Sequence, residues 1–177
     1  MKSKLLLHSC CGPCSSAVIE RLKQDYDITV LYYNPCIYPV EEFLKRKQEQ
    51  IRLLKILNIN FLDCDYDNQS YEKLVENYHN EKEGGNRCSI CFKQRLQKTA
   101  EIAKQNQFDV FCTTLTVSPH KNAKLINEIG AEISKTIGID YLESDFKKQD
   151  GYKRSLELSK KYKLYRQNYC GCKYSRR

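Results

Sequence analysis

Tryptophan is absent from this 177-residue chain, methionine occurs once, and glycine and proline together number 11. That scarcity leaves little material for a low-complexity tract or a flexible linker, and neither is found, nor is an internal repeat. No apolar run approaches the ~20 residues needed to cross a bilayer, and the Leu5-Leu6-Leu7 triplet is too short for the apolar stretch of a signal peptide. The expected setting is therefore the cytoplasm, with no membrane partner. Hydrophobic residues make up 41% of the chain. At this length a single domain buries roughly 70% of its extended-chain surface, which excludes intrinsic disorder.

Cysteine is abundant, at 10 residues. A disulfide framework explains them poorly in a reducing compartment, so metal ligation or redox chemistry leads. Seven fall into three groups: Cys10, Cys11 and Cys14; Cys88 and Cys91; Cys170 and Cys172. A structural zinc site needs only four ligands. The vicinal Cys10-Cys11 pair is expected not to turn both sulfurs to one tetrahedral ion, and Cys170-Gly171-Cys172 is tighter than a usual knuckle. Adjacent thiolates are better used on two neighbouring centres, which favours an iron–sulfur cluster beside a further metal ion. Cys10, Cys11, Cys88, Cys91, Cys170 and Cys172 are the expected ligands, with Cys14 a seventh. Cys112 lies in an apolar strand pattern and is expected to be a buried thiol; Cys36 and Cys64 are read as structural.

The charge is unevenly placed. Residues 1–145 hold 19 basic and 20 acidic side chains, while residues 146–177 hold 11 basic and 2 acidic. Tyrosines are interleaved with that basic excess. Cations neutralise phosphates and aromatic rings stack on unpaired bases, so Lys161, Lys163, Tyr165, Arg166 and Tyr169 are candidate RNA contacts. A merely solubilising tail is the plainer reading. Residues 1–145 and 146–177 are expected to form one domain, the second segment completing the metal site of the first.

Short apolar runs at residues 4–7, 28–33, 60–63, 109–114 and 139–142 alternate with helix-like spacing at residues 15–23, 41–57, 71–79, 91–105 and 122–137. This alternation predicts an α/β fold, an open, mainly parallel sheet with helices on both faces. Ligands of such sheets bind beyond the carboxyl ends of the strands. The segments leaving those ends include His8 to Cys14, Asn34-Pro35-Cys36, Cys64-Asp65, Thr116 to His120 and Ser144-Asp145-Phe146.

The segments His8-Ser9-Cys10-Cys11-Gly12-Pro13-Cys14, Arg87-Cys88-Ser89-Ile90-Cys91, Thr113-Thr114-Leu115, Ser118-Pro119-His120-Lys121-Asn122, Asp145-Phe146-Lys147-Lys148 and Tyr165-Arg166-Gln167-Asn168-Tyr169-Cys170-Gly171-Cys172 resemble the QueH-type epoxyqueuosine reductases. The resemblance covers nearly the whole chain. It implies a nucleotide-hydrolase-like (HUP-type) tRNA-modifying fold and the last step of queuosine biosynthesis, in which the epoxide of epoxyqueuosine is deoxygenated to the alkene. It also implies a [4Fe–4S] cluster with an adjacent mononuclear iron, independence from cobalamin, tRNA carrying epoxyqueuosine in the anticodon loop as substrate, and an external electron donor. Such a reaction needs a proton donor, for which Asp145, His120 and His8 stand unranked. Two alternatives come from other classes. An ATP-dependent tRNA-thiolating enzyme would want a glycine-rich phosphate loop, yet the turn after the first strand has only Gly12. A zinc-stapled RNA-binding module would leave three cysteines idle.

Overall fold

The computed structural model describes residues 1–176. Strands β1 (Ser3–His8), β2 (Tyr26–Leu31), β3 (Asn60–Leu62), β4 (Val110–Thr113) and β5 (Asp140–Tyr141) form an all-parallel sheet of order β3-β2-β1-β4-β5. The helices are α1 (Gly12–Leu22), α2 (Val40–Leu57), α3 (Asn68–Leu74), α4 (Asn86–Gln105), α5 (Ala123–Ile137) and α6 (Gly151–Lys161).

Successive strand residues point to opposite faces, and β1 is apolar at consecutive positions because both faces are covered. Leu5 and Leu7 pack with Val18, Ile19, Leu54 and Phe146, beneath α1 and α2. Leu6 packs on the other side with Phe92, Leu96, Ile126 and Ile133, beneath α4 and α5. All three leucines are fully buried, each stabilising the fold by about 1.5–3 kcal/mol. Helix ends carry their own stop signals. Asn122 Oδ1 accepts from the Leu125 N–H at the start of α5, and Gly138 closes that helix at φ 74°.

Strand order reverses at β1. The chain runs outward through β2 and β3, then returns to lay β4 against the free edge of β1, where His8 pairs with Thr113. Neighbouring segments diverge there and leave a crevice beyond the carboxyl ends of β1 and β4.

Three departures from the sequence pattern shape that crevice. Helix α4 begins at Asn86, so Cys88 and Cys91 ride on its first two turns. Helix α1 begins at Gly12, with Cys11 as its N-cap and Cys14 inside it. Residues 151–161 form α6, where the sequence shows only a basic segment. Its buried face is Gly151, Ser155, Leu158 and Ser159, too polar and small to produce an apolar period, and it packs on α1. Gly151 is required there, because a Cβ would stand 1.6 Å from the Phe146 carbonyl oxygen. Among the described residues, no helix is long and apolar enough to cross a membrane.

Candidate metal centre

The end of β1 turns into α1 through Cys10 and Cys11. Cys11 is extended (φ −171°, ψ 162°) and Cys14 returns one helical turn later, so the sulfurs of Cys10, Cys11 and Cys14 all lie within 4.8 Å of one another. The expectation that vicinal Cys10 and Cys11 would not turn both sulfurs to one ion is corrected by this turn: their sulfurs are 3.8 Å apart. They share ionisation. Thiol hydrogen bonds from Cys11 and Cys14 draw Cys10 well below the usual thiol range, against the cost of burial. The same bonding to Cys10 pushes Cys11 up to about 12 and raises Cys14 as well. The triplet thus resembles one thiolate solvated by two thiols, which a bound cation would convert to three ligands.

A second group of sulfurs surrounds a cavity of ≈80 Å³, lined by Cys36, Cys88, Cys91, Cys170 and Cys172 together with Arg95. The two C-terminal cysteines lie outside any helix or strand and are fastened by their backbone. Arg46 donates from Nη1 to the Cys170 carbonyl (2.9 Å) and from Nη2 to that of Tyr169 (3.2 Å). The Tyr38 N–H donates to the Gly171 carbonyl (2.8 Å). Gly171 has φ 132°, and a Cβ there would meet Ile37 Cγ1 at 2.9 Å and Arg46 Nη1 at 3.0 Å, so the sharp Cys-Gly-Cys turn depends on glycine. One turn along α2 from Arg46, the buried Gln50 accepts from Ser9 Oγ (2.6 Å) and donates to Ser15 Oγ (2.9 Å). A single face of α2 therefore ties down both the N-terminal cysteine loop and the C-terminal one.

Cys36, read from the sequence as structural, lines the second cavity. Its signal was its place after β2 rather than any motif. A thiol hydrogen bond from Cys91 brings it down to about 6 despite burial, helped by Arg95 and Arg46. Cys112 is buried in β4, its sulfur 3.4 Å from the Leu142 carbonyl oxygen, and Cys64 packs at the edge of the core; neither lines the cavities described here.

A larger cavity of ≈450 Å³ opens beside the first, and Cys170, Arg95, His120, Lys121 and Glu83 line both. Cys10, Cys14, Arg166 and Tyr169 line only the larger one. Burial opposes the charge on Lys121, but the Cys170 and Cys10 sulfurs outweigh it and hold the ammonium above its ordinary range.

The proton-donor candidates are dispersed. His120 is exposed on the loop before α5 and reaches both cavities. His8 is fully buried: its Nε2–H donates to the Tyr33 carbonyl (2.9 Å), leaving Nδ1 to accept from Thr113 Oγ1 (2.9 Å). Burial first, and the Arg95 charge second, lower it to about 4 and keep it neutral. Asp145 lies 3.3 Å from Lys147 Nζ, outside the lining of either cavity.

The tail residues are likewise divided. Arg166 and Tyr169 face the larger cavity, with the Tyr169 hydroxyl donating to the Tyr38 carbonyl (2.7 Å). The Tyr165 hydroxyl donates to Glu42 (3.0 Å) under a Lys45 ammonium 3.7 Å from its ring, and it lines a neighbouring hollow instead. Lys161 and Lys163 are exposed and away from the lining.

The donor set fits an iron–sulfur group. The ligand atoms that converge are mostly sulfur, with Glu83 and His120 the other metal-ligating side chains on the walls, and a thiol-rich set suits iron–sulfur clusters and thiophilic ions. The buried guanidinium of Arg95 adds positive charge where those thiols converge.

The sequence pattern of the family described as Epoxyqueuosine reductase QueH matches residues 5–177. A protein of Acinetobacter baylyi bearing that name is 43% identical over 176 residues, covering 98% of this chain and 81% of its own length. Another from Streptococcus pyogenes serotype M1 is 41% identical over 181 residues, covering 99% of this chain and 71% of its own. Among solved structures, the U34-tRNA thiolase NcsA from Methanococcus maripaludis, with its [4Fe–4S] cluster, superposes with a TM-score of 0.58 at 14% identity, over 99% of this chain and 61% of its own. At that identity the likeness concerns the fold.

Proposed function

This chain belongs to the QueH family of epoxyqueuosine reductases, oxidoreductases of the last step of queuosine biosynthesis, and from that premise we propose that it works through iron–sulfur chemistry at the β1/β4 crevice. Converting an epoxide to an alkene takes two electrons and two protons and releases the oxygen as water. When bound, a [4Fe–4S] cluster with an adjacent iron supplies the electrons one at a time and a Lewis acid for the epoxide oxygen, without cobalamin. The thiols of Cys10, Cys11, Cys14, Cys88, Cys91, Cys170 and Cys172 hold these groups. The observation that carries this reading is the convergence of sulfurs from the N-terminal loop, α4 and the C-terminal segment on two adjoining cavities.

The larger cavity receives the modified base. Arg166 and Tyr169 orient it there, the guanidinium by charge and the ring by its face. His120 delivers a proton from a ring nitrogen to the departing oxygen. Its position on the wall of both cavities supports this role over that of His8, whose nitrogens are both engaged. Asp145 acts at a distance through its pairing with Lys147, whose Nζ donates to the Lys121 carbonyl (3.2 Å). The substrate is tRNA carrying epoxyqueuosine in the anticodon loop, with phosphates met by Lys161 and Lys163 and a flanking face by Tyr165. Electrons come from an external cytoplasmic donor.

Anaerobic purification followed by iron, sulfide and zinc analysis, a visible spectrum, and turnover of epoxyqueuosine-containing tRNA tests the reading. The expected preparation is brown, contains iron and acid-labile sulfide, and forms queuosine. A colourless zinc protein, or an active one without iron, would overturn it.

A further inference from the structure

Arginine 95 stands apart from the two other buried arginines near the cysteines: Arg87, beside Cys88, directs Nη1 to the Tyr78, His79 and Glu81 carbonyls and, although its Nε is unpartnered, lines neither cavity. Arg46 has its guanidinium directed to Glu42 and to two carbonyls, and so acts as a tether. Arg95 is 2% exposed, yet no carboxylate lies within 4.0 Å of it among the described residues. Two of its nitrogens are engaged: Nε donates to the Cys91 carbonyl and Nη1 to Asn34 Oδ1, each at 3.3 Å. Asn34 is itself fixed, its Nδ2 donating to the Ser9 carbonyl (2.8 Å). The third nitrogen, Nη2, is buried with no hydrogen-bond partner. A charged donor held rigidly and left unpaired inside a protein is costly, so this one calls for an acceptor that the polypeptide does not supply.

The surroundings specify that acceptor. Arg95 lines both cavities, in company with Cys10 and Cys14 on one side and Cys36, Cys88 and Cys91 on the other, while Cys170 borders both. We propose that Arg95 donates a hydrogen bond from Nη2 to a sulfur of the bound iron–sulfur cluster and thereby raises the cluster's reduction potential, an inference that rests on the iron–sulfur reading above. A cluster ligated by thiolates is anionic and gains a further negative charge on reduction. A fixed guanidinium and an N–H···S bond both favour the reduced form over the oxidised one. The Asn34 and Cys91 contacts are then the means by which the protein aims the donor.

The test begins with the intact protein. Labelling with ¹⁵N-arginine and reducing the cluster should give a ¹⁵N hyperfine coupling in pulsed electron paramagnetic resonance, and Arg95→Lys should abolish it. Redox titration of Arg95→Gln with full iron and sulfide content should show about a tenfold lower reduced-to-oxidised ratio at fixed potential, equivalent to ~59 mV for one electron. Arg95→Lys, which keeps the charge, should recover part of that shift. A cluster-bearing parent without arginine coupling, a coupling that survives in Arg95→Lys, or an unchanged midpoint in loaded Arg95→Gln overturns the inference alone. If Arg95→Gln fails to fold or load, the labelled parent still decides. A protein lacking iron, sulfide and a reduced-cluster signal overturns the iron–sulfur reading and this inference together.

Discussion

Cys10 and Cys11 sit in the short turn that joins β1 directly to α1, with Cys14 in the first turn of α1, whereas Cys170 and Cys172 arrive on a segment far from any strand and outside any helix. The first group is anchored at both ends by bonds of the neighbouring strand and helix, Ser9 N–H to the Leu31 carbonyl and Ser15 N–H to the Cys11 carbonyl, with Gln50 bracing the loop between them. The second depends on long-range ties: Arg46 to two carbonyls and Tyr38 to a third. Preorganisation by secondary structure is local and robust, while preorganisation by a single guanidinium is concentrated at one residue. The two should therefore fail differently.

Removing sulfur should have the largest effect, and on both sides alike. Cys10→Ala and Cys170→Ala should each lose iron and abolish measurable turnover; full iron with parental turnover in either would remove that side from the metal centre. Cutting the ties should separate the sides. Arg46→Ala removes the ion pair to half-buried Glu42, which keeps only the Tyr165 hydroxyl, and frees the C-terminal cysteines, a loss of about 1.5–3 kcal/mol accompanied by loss of iron. Gln50→Ala removes only neutral hydrogen bonds from the N-terminal loop and should cost about 1–3 kcal/mol with iron retained. Denaturant titration and iron analysis measure both, and equal losses would erase the contrast.

Acidity acts next. Because the Cys11 thiol stands at about 12 and Cys14 is also raised, metal loading at the triplet must displace protons, so the sign is fixed: affinity rises with pH. Loss of about two protons gives roughly a hundredfold change in affinity per pH unit below those values. Competition with a chelator between pH 6 and 8 reads this slope, and a flat profile would count against thiol ligation there. Gly171→Ala, strained at φ 132° and crowded by Ile37 and Arg46, should lower stability by about 1–3 kcal/mol and perturb the C-terminal pair alone.

The smallest effects concern the tail. Lys161→Glu and Lys163→Glu, away from the cavity, should weaken tRNA binding with each lost phosphate contact flattening the log–log salt dependence by about 0.7. Arg166→Glu should also slow turnover, because it lines the cavity. Parental affinities across a salt series would remove this segment from the tRNA-binding surface.

Legibility in the sequence followed the range of the underlying interactions. The strands were readable because Leu5, Leu6 and Leu7, and likewise Val110, Phe111 and Cys112, are continuously apolar, as two covered faces require. The cysteine groups were readable because their spacing is short. Helix α6 was not, since its buried face against α1 is glycine and serine apart from Leu158, and its fitness depends on that neighbour. Cys36 belongs to no motif, and its proximity to Cys91 arises from chain segments more than fifty residues apart. Arg46 and Gln50 look like ordinary polar positions of an amphipathic helix, yet both are buried.

What the sequence determined by itself was a parallel α/β frame, a thiol-rich edge and the family, because periodicity, composition and short spacings are properties of neighbouring residues. Tertiary structure alone decided how the sulfurs are grouped, which histidine is free, and where a buried guanidinium is left with an open nitrogen. These depend on the order β3-β2-β1-β4-β5, which sets β1 beside β4 and brings the carboxyl-end loops together. Hydrogen bonds and charges act over a few ångströms, so their partners exist only once the chain has closed those distances.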